Sequence, residues 1–542
     1  MKAICQTGSF EAFSMYNAIY VDKTELIYSL VSLPNRIFIS RPRRFGKSLT
    51  LDTIATLFET GVEPYFKGTW IYDKWTEPTY PVLRLNFLNF DKNSLEKFNN
   101  KLNSKITEFA ELNQVTTYKE KEETEDSIDH LLEQLRLEGR QIVILIDEYD
   151  CQMTANINNE SLYKQFQEKI KSFYANLKDK LAIKFLGITG VTRLKDVSIF
   201  SVGSDIRDIT NSSAYSQMIG FTRDEIKKFY IDYLKLAASY ENNCSVDDVT
   251  DTQLESMLDM MAQNYDGYCF DEDYEKKVFS TWSVNKFFQT MIEKKKVQFG
   301  EYWYDNGGLP SILVNYLKTH ELNIFEYLDK DKFLKVSSDD FKNPTALTTI
   351  NQNVLMCQTG YLTLRSDLNK TSTVALGIPN GEIYKALNRL LANNIFKGNT
   401  DITDDYGRSL LEVGTVDDII NLFNSALNSV SYDNYPIVSE SSVQNMLKLY
   451  LLGAHQEVLS EVHEANGRAD LVVNTDNRRI VFEFKYAKNE IEAKSKLLDA
   501  VEQIKTRDYG NILPKKNELI RIAAVFNADP KVRAFTENQI VP

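Results

Sequence analysis

Two groups of residues in this sequence have types and spacings that suit chemistry on phosphate groups. The first is the segment RPRRFGKS at positions 41–48, which follows an apolar stretch and precedes a helix-like one. The second is a set of charged residues near the C-terminus that includes Asp470, Glu483 and Lys485. A glycine, lysine and serine before a helix suit a triphosphate, whereas paired carboxylates suit a hard divalent cation.

The end of the first segment has the properties of a phosphate-binding loop. Gly46 allows backbone N–H groups to approach phosphate, Lys47 would neutralise its charge, and Ser48 would bind Mg²⁺. The helix that begins here adds the positive end of its dipole. Arg41 stands where the GxxxxGK[ST] pattern has its first glycine, so the match is incomplete. The remaining residues predicted to contact nucleotide are Arg43, Arg44, Phe45 and Leu49.

A second nucleotide motif follows about a hundred residues later. The apolar run IVILI at 142–146 ends in Asp147 and Glu148. We expect Asp147 to orient Mg²⁺ and Glu148 to position or deprotonate the water that attacks the γ-phosphate. The alternative is a buried strand that ends in a polar turn without function.

A third strand end carries Thr189, and Arg193 follows it. Thr189 is placed to sense the γ-phosphate, and Arg193 to act as an arginine finger within the chain or toward a neighbour. The alternative for Arg193 is an ion pair at the surface, a common fate for an arginine just after a strand.

The C-terminal residues predict a metal-dependent nuclease site. Asp470 precedes the strand 471–473, and a turn at 476–477 permits a hairpin with the strand 480–485. Glu483 and Lys485 lie two apart and therefore project from one face. Cleavage of a phosphodiester needs carboxylates to hold Mg²⁺ and a cation to orient water or offset charge. A two-stranded ribbon with exposed charges is the alternative.

Two further residues are candidates for the same cleft. Glu461, near the preceding strand, is placed to complete the metal ligands. Gln503, on the helix that follows the hairpin, is a polar group that would face it.

The pattern of the whole chain indicates three domains. Strand-like runs at 36–40, 81–87, 142–146 and 183–188 alternate with helical patterns and predict an α/β domain with a parallel sheet. The pattern from about 221 to 425 is mainly helical, and a small α/β unit begins near 435. We place the domains at residues 1–235, 236–425 and 426–542.

Composition narrows the class of protein. The 542 residues carry a net charge of −13, which disfavours a nucleic-acid coat protein, although the segment from Glu461 onward is near neutral. The five cysteines are scattered without a CxxC pair, which disfavours zinc and disulfides and favours a reducing compartment. The sequence has no signal-like start and no apolar run long enough to cross a bilayer. We expect a cytoplasmic protein with no membrane partner.

The chain as a whole resembles the prokaryotic family that joins an AAA-ATPase-like domain to a PD-(D/E)XK nuclease domain. The resemblance rests on the two nucleotide motifs and on the segments YVDKT at 20–24, IGFT at 219–222, QTGY at 358–361, GRAD at 467–470 and EFK at 483–485. It implies an AAA-like P-loop domain, a helical middle region and a restriction-endonuclease-like C-terminal domain. It also implies that Arg41 is normal for this loop, and that Glu461, Asp470, Glu483, Lys485 and Gln503 occupy nuclease-fold positions.

Our hypothesis is that ATP binding and hydrolysis are coupled to Mg²⁺-dependent cleavage of nucleic acid, with DNA favoured over RNA and a homo-oligomer left open. The alternative is an ATP-switched regulator that binds nucleic acid or protein through a nuclease fold that does not cleave.

Overall fold

The structure, a computed structural model, describes residues 1–33, 35–194, 206–303, 311–317, 320, 324–344, 346–396, 406–454, 456–464, 467–511, 516 and 518–542. The chain divides into two compact units. The first comprises residues 1–320 and 333–383, and the second comprises residues 321–332 and 384–542. The domain limits at 235 and 425 remain a prediction.

The first unit is built on a parallel sheet. Its strands are β1 (Asn35–Ser40), β2 (Val82–Asn86), β3 (Ile142–Asp147), β4 (Ile183–Gly190) and β5 (Arg207–Asp208). Their order in the sheet is β2-β3-β4-β1-β5. Every residue of β3 and β4 is buried, because helices cover both faces of a parallel sheet. Strands therefore form at all four predicted runs, and the α/β class is confirmed.

Helices connect and surround this sheet. In the first part of the chain they are α1 (Glu11–Met15), α2 (Thr24–Val31), α3 (Lys47–Thr60), α4 (Leu95–Leu112), α5 (Thr124–Leu137), α6 (Cys151–Ala155) and α7 (Glu160–Ala175), with a short 3-10 turn at Phe87–Asn89. The amphipathic α4 shows why they form. Ser94 caps its first turn, and Phe98, Leu102 and Ile106 recur at four-residue spacing to bury one face.

The middle region is mainly helical, as predicted. It contains α8 (Arg223–Phe229), α9 (Ile231–Asn242), α10 (Asp251–Tyr265), α11 (Thr281–Lys294), α12 (Ser311–Leu317), α13 (Ser338–Lys342), α14 (Gln352–Gln358), α15 (Gly381–Ile395), α16 (Tyr406–Val413) and α17 (Val416–Asn428), with 3-10 turns at Val246–Asp248 and Ile324–Glu326. Tyr230 stacks on Phe288 in the core between α8, α9 and α11. A small antiparallel sheet that the sequence did not indicate joins β6 (Leu334–Ser337), β8 (Thr373–Gly377) and β7 (Thr363–Leu364).

The second unit contains a mixed sheet beside helix α18 (Glu440–Gly453). Its strands are β9 (Glu457–Glu464), β10 (Gly467–Asn474), β11 (Arg478–Ala487), β12 (Glu518–Asn527) and β13 (Ala534–Val541), in the order β13-β12-β11-β10-β9. The pair β11 and β12 is parallel, and helix α19 (Glu490–Arg507) makes the crossover that parallel strands require. The predicted hairpin is present, with Leu471 paired to Phe482.

Within the described ranges, we find no helix with the length and hydropathy of a membrane span.

Candidate nucleotide and metal sites

The phosphate-loop residues lie between the end of β1 and the start of α3. Gly46 is the N-cap of α3 and has a φ of 103°, a left-handed conformation that favours glycine. A Cβ atom at this position would meet no atom of the described residues within 4 Å, so these residues leave the space in front of the loop backbone open. An anion can therefore approach the N–H groups at the helix start, where the dipole also favours negative charge.

Lys47 lies inside the curve of this loop. Its Nζ donates to the backbone oxygens of Arg41 at 3.0 Å and Pro42 at 3.2 Å, and lies 3.8 Å from Oε1 of Glu148. The side chain is buried, with 4% of its surface exposed. The loop thus holds a mostly dehydrated positive charge, which attracts phosphate more strongly than a solvated one would.

Three strand and helix ends meet at the carboxylate of Asp147. Ser48 Oγ donates to Oδ2 at 2.6 Å, while Thr189 Oγ1 and the backbone N–H of Glu148 donate to Oδ1. The strand order explains this convergence, because β4 lies between β1 and β3 and ends at the same edge. The hydroxyl of Ser48 and the carboxylate of Asp147 are the hard oxygen donors that Mg²⁺ prefers, so a nucleotide-bound Mg²⁺ fits this group.

Glu148 occupies an unusual backbone conformation next to the same group. Its φ of 54° lies in the left-handed region, which costs free energy for a residue with a side chain. Burial raises the pKa of its carboxyl, and the charges of Asp150 and Asp147 raise it further against the opposing charges of Lys47 and Arg43. A carboxylate with a raised pKa is a better proton acceptor, the property that a general base needs.

Asp150 is a residue whose role sequence analysis missed. It is 1% exposed and accepts hydrogen bonds from the backbone N–H groups of Val191 and Thr192, which follow β4. A Cβ on Gly190 would lie 2.4 Å from the Tyr149 ring, so the two turns are in close contact. The final aspartate of the DEYD run was the available signal. Asp150 fixes the strand end that carries Thr189.

The side chain of Arg41, the first residue of the loop segment, lies in the core. Arg41 is buried, donates to the backbone oxygens of Ser40 and Thr210, and lies 4.2 Å over the Phe270 ring, and burial lowers its pKa to about 9. The side chain of Arg41 thus points into the core, so an arginine at the position of the pattern's first glycine does not obstruct the loop.

Arg44 and Phe45 join the loop to the middle region. Arg44 donates to the backbone oxygens of Tyr302 and Trp303 and lies 4.8 Å over the Trp282 ring. The Phe45 ring is buried and makes an edge contact with Trp303. Both side chains therefore connect the loop to the middle region, and both also line the cavity in front of the loop.

Arg193 adopts the arrangement that we considered as the alternative. Its guanidinium forms an ion pair with Asp208, and its backbone N–H and C=O bond to the side-chain amide of Gln358, each at 3.2 Å. Its role as an arginine finger remains a prediction. Gln358, from the QTGY segment, connects β4 to α14.

A cavity of about 600 Å³ opens in front of the loop. Its lining includes residues of the loop and the β3 end: Arg43, Gly46, Lys47, Ser48, Leu49 and Glu148. It also includes the apolar side chains of Phe13, Ile19, Val21, Ile219, Phe221 and Trp282. Charged and polar groups together with apolar surface suit a molecule that carries both phosphates and a flat base.

The second candidate site lies on the β10–β11 hairpin. Asp470 precedes the pair of Leu471 with Phe482, and its Oδ2 accepts the backbone N–H of Phe484 at 2.8 Å. Glu483 is fully buried on the neighbouring strand. Burial first, and then the negative charge of Asp470, raise the pKa of Glu483 to about 7. The two carboxylates are thus close enough to repel each other.

Lys485 lies beside these carboxylates. Its Nζ donates to Glu483 Oε1 at 2.8 Å and to the backbone oxygen of Phe484 at 3.1 Å, and lies 3.4 Å from Glu440 Oε1. Burial opposes the charge of Lys485, but the hydrogen bond and charge of Glu483 outweigh it and raise the pKa of the ammonium. Glu440, on the first turn of α18, was not predicted, because no local pattern connects it to a hairpin forty residues away.

Of the other predicted residues, Gln503 has a described side chain and Glu461 does not. Gln503 Nε2 donates to Tyr509 Oη at 3.4 Å, on the α19 side of the sheet. The side chain of Glu461 is outside the described part of the chain, so its place as a metal ligand remains a prediction. Gln444, which was not predicted, donates to the backbone oxygen of Asp470 and so helps to hold β10.

The oxygen donors of Asp470 and Glu483 fit a divalent cation. Among the residues that the structure describes, Glu483 Oε2 is buried without a hydrogen-bond partner, a costly state that a cation held by Glu483 and Asp470 would relieve. Across the described ranges, no group of three or more His, Cys, Asp or Glu side chains is placed around one metal position. Mg²⁺ commonly takes one or two carboxylates and completes its shell with water and phosphate oxygens, so Asp470 and Glu483 satisfy that requirement.

Comparison with known proteins identifies a domain at each end of the chain. Residues 5–200 match the family model described as a predicted AAA-ATPase, AAA-ATPase-like, and residues 438–536 match a model of the PD-(D/E)XK nuclease superfamily. The chain therefore contains an AAA-ATPase-like domain and a C-terminal PD-(D/E)XK nuclease-superfamily domain, as the sequence motifs predicted.

One curated relative spans nearly the whole chain. It is an uncharacterized protein in the vnfD 5′ region of Azotobacter chroococcum mcd 1, 26% identical over 94% of this chain and 93% of its own length. Two solved structures are also similar to this chain at low identity. Cdc6p of Pyrobaculum aerophilum is 11% identical, with a TM-score of 0.25, and the match covers 68% of this chain and 92% of that chain. Orc1 of Aeropyrum pernix in complex with DNA is 10% identical, with a TM-score of 0.26, and the match covers 67% of this chain and 91% of that chain. The fold assignment rests on the strand order and the family models.

Proposed function

We propose that this protein binds and hydrolyses ATP in its first unit and uses that cycle to control Mg²⁺-dependent cleavage of nucleic acid by its second unit. The proposal is carried by the buried Oε2 of Glu483, which lies beside Asp470 and receives no hydrogen bond from any described residue. The same chain also has the hydrogen bond from Ser48 to Asp147. Two groups of hard oxygen donors, one at a phosphate loop and one in a nuclease-superfamily domain, match the two halves of this function.

In the first unit the side chains have separate tasks. Lys47 and the N–H groups around Gly46 bind the phosphates, and Ser48 and Asp147 hold the Mg²⁺ that comes with the nucleotide. Glu148 accepts a proton from the attacking water, for which its raised pKa suits it. Thr189, bonded to Asp147, is placed to respond to loss of the γ-phosphate.

In the second unit Asp470 and Glu483 would hold the cation, which would supply polarisation of the phosphodiester and activation of a water molecule. Lys485, fixed by Glu483, orients that water or offsets the charge that develops on the phosphate. Asp470 is itself held by the Phe484 N–H, so its carboxylate keeps one orientation. DNA is the favoured substrate over RNA.

The test uses the full-length protein with radiolabelled ATP and with end-labelled DNA and RNA. We expect ATP turnover that rises when nucleic acid is added, and cleavage that requires Mg²⁺ or Mn²⁺ and changes with the nucleotide. Cleavage that needs no metal would overturn the nuclease half. Turnover that is indifferent to DNA and RNA would overturn the coupling. Binding of nucleic acid without cleavage under all metal and nucleotide conditions would favour the non-cleaving regulator.

A further inference from the structure

Arg507 is a positively charged residue near the Asp470–Glu483 site, and it has no role in the chemistry proposed above. It is the last residue of α19, the helix that crosses over from β11 to β12. Its NH1 donates to Tyr509 Oη at 2.8 Å. The electrostatic field of Glu483 and Asp470 reaches it and, after the larger effect of the Tyr509 hydrogen bond, contributes to raising its pKa. Arg507 also lies against Gly467, three residues before Asp470 on β10, so the guanidinium is close to the strand that carries this carboxylate.

The side chain is held in one place from both sides. Tyr509 is fully buried, its hydroxyl contacts both Arg507 and Gln503, and its backbone oxygen accepts a 2.6 Å bond from Arg521 Nε. On the other side Gly467, the first residue of β10, lies against Arg507. A Cβ on Gly467 would come within 2.6 Å of Arg507 Cδ. The glycine of the GRAD segment thus leaves room for the arginine.

The position of Arg507 is not explained by a need to neutralise the charges of Asp470 and Glu483. In the part of the chain that the structure describes, Lys485 forms the ion pair with Glu483, whereas Arg507 forms no ion pair and makes one hydrogen bond. A guanidinium has five N–H donors in a planar fork that matches a phosphate group. An arginine oriented by a buried tyrosine, with most of its donors available, is suited to bind an anionic ligand.

We propose that Arg507 binds a backbone phosphate of the nucleic acid held at the Asp470–Glu483 site, and that Tyr509 and Gly467 position it for this contact. The inference rests on the proposed nuclease function, since it assigns that site a phosphate-binding residue. The ligand chemistry is a phosphodiester oxygen, and the contact is independent of base sequence.

The test compares binding of a fluorescein-labelled DNA duplex and single strand by full-length wild type, Arg507→Ala and Arg507→Lys. Binding is measured by anisotropy over a range of KCl concentrations, with Ca²⁺ as an oxygen-seeking cation in place of Mg²⁺. Loss of one phosphate contact reduces the slope of log K against log salt by about 0.9 for duplex or about 0.7 for single-stranded DNA. We also expect affinity about tenfold lower at low salt. The Arg507→Lys slope should stay near that of wild type, because the charge remains.

Lys494→Ala is the matched control, because it removes one positive charge from the opposite end of the same helix, where Lys494 is exposed and paired with Glu490. Its slope should equal that of wild type. A purely structural role for Arg507 would lower thermal stability but leave the salt slope unchanged. An unchanged slope in Arg507→Ala therefore overturns the proposal.

Gly467→Ala gives a second, independent test. Its new methyl group must displace the Arg507 side chain, so it should reproduce most of the slope change of Arg507→Ala. The double variant should then show little further change, because both substitutions remove the same contact. Additive slopes would overturn the positioning role of Gly467.

The two proposals fail in different ways. If wild type cleaves DNA with Mg²⁺ and Asp470→Ala does not, while Arg507→Ala keeps the wild-type slope, the nuclease function stands and the Arg507 inference is overturned. If wild type binds without cleaving and Arg507→Ala lowers the slope, the cleavage function fails and the phosphate contact stands. Absence of DNA and RNA binding by wild type overturns both.

Discussion

Ser48 Oγ donates a 2.6 Å hydrogen bond to Oδ2 of Asp147, although 99 positions separate the two residues in the chain. This bond joins the phosphate loop to the end of β3 and brings together the two oxygen donors that would hold a nucleotide-bound Mg²⁺. Thr189 donates to the other oxygen of the same carboxylate. Variants around this group should therefore separate nucleotide binding from hydrolysis.

Lys47→Ala should weaken ATP binding by about tenfold to a hundredfold, because it removes the buried positive charge of the loop that lines the cavity. Titration calorimetry with ATP and Mg²⁺ measures the effect. Lys67→Ala, at an exposed position away from the loop, is the control and should bind as wild type does. Equal affinity in Lys47→Ala and wild type would mean that the loop does not bind phosphate.

Glu148→Gln should keep ATP binding and lower turnover by about a hundredfold or more, because the amide cannot accept the proton from water. Paired measurements of nucleotide affinity and kcat separate the two effects. Asp150→Asn serves as the comparison. Asp150→Asn should lower both stability and turnover, since Asp150 holds the end of β4 through hydrogen bonds from Val191 and Thr192. Wild-type turnover in Glu148→Gln would transfer the role of base to another group.

Asp470→Ala should abolish metal-dependent cleavage, with a loss of at least about a hundredfold, because Glu483 alone cannot hold the cation in place. The assay follows end-labelled DNA with Mg²⁺ or Mn²⁺. Asp476→Ala, in the hairpin turn, removes the same charge outside the site and should cleave normally. ATP turnover without nucleic acid should be unchanged in both variants. Residual cleavage at the wild-type rate in Asp470→Ala would contradict the assignment.

Glu382→Gln should change the pH dependence of stability. Burial raises the pKa of Glu382 to about 8, while its hydrogen bonds from Ser283 and the Trp303 N–H limit the rise. Because the folded-state pKa exceeds the unfolded value, the unfolded chain loses this proton first as pH rises. The carboxyl therefore subtracts stability progressively between about pH 4.5 and pH 8.

The glutamine variant lacks this penalty. Its unfolding free energy should match wild type near pH 5 and exceed it by about 1–3 kcal/mol at pH 8, as measured by thermal unfolding. Glu168→Gln, at an exposed helix position, is the control and should show no such gap. A constant difference across this pH range would mean that Glu382 is already ionised in the fold.

The local pattern of the sequence predicted the elements that carry the two sites. The run IVILI followed by Asp147 and Glu148 forms β3, and the alternation around Glu483 and Lys485 forms β11 with both side chains together. These features depend on neighbours one to four residues away, so periodicity reveals them. The small β6-β8-β7 sheet escaped prediction because its strands are short and lie in helical surroundings.

Contacts between residues that are far apart in the sequence could not be predicted from local patterns. Arg41 stands at a glycine position of the loop, and its burial over Phe270 became visible only in three dimensions. Arg193 pairs with Asp208 instead of lying free at the loop, and Glu440 reaches Lys485 from another helix. Each depends on the packing of elements whose separation along the chain carries no periodic signal.

The sequence by itself determined a phosphate loop, a strand ending in two carboxylates, and a hairpin bearing an aspartate opposite an ExK strand, because short-range spacing dictates which way neighbouring side chains point. Tertiary structure alone decided that β4 enters between β1 and β3, which delivers Thr189 to Asp147, and that α19 returns Arg507 to the Gly467 end of β10. The order of the strands and the path of α19 depend on the burial of entire sheet and helix faces. The free energy of that burial is a sum over many residues, so no single motif predicts it.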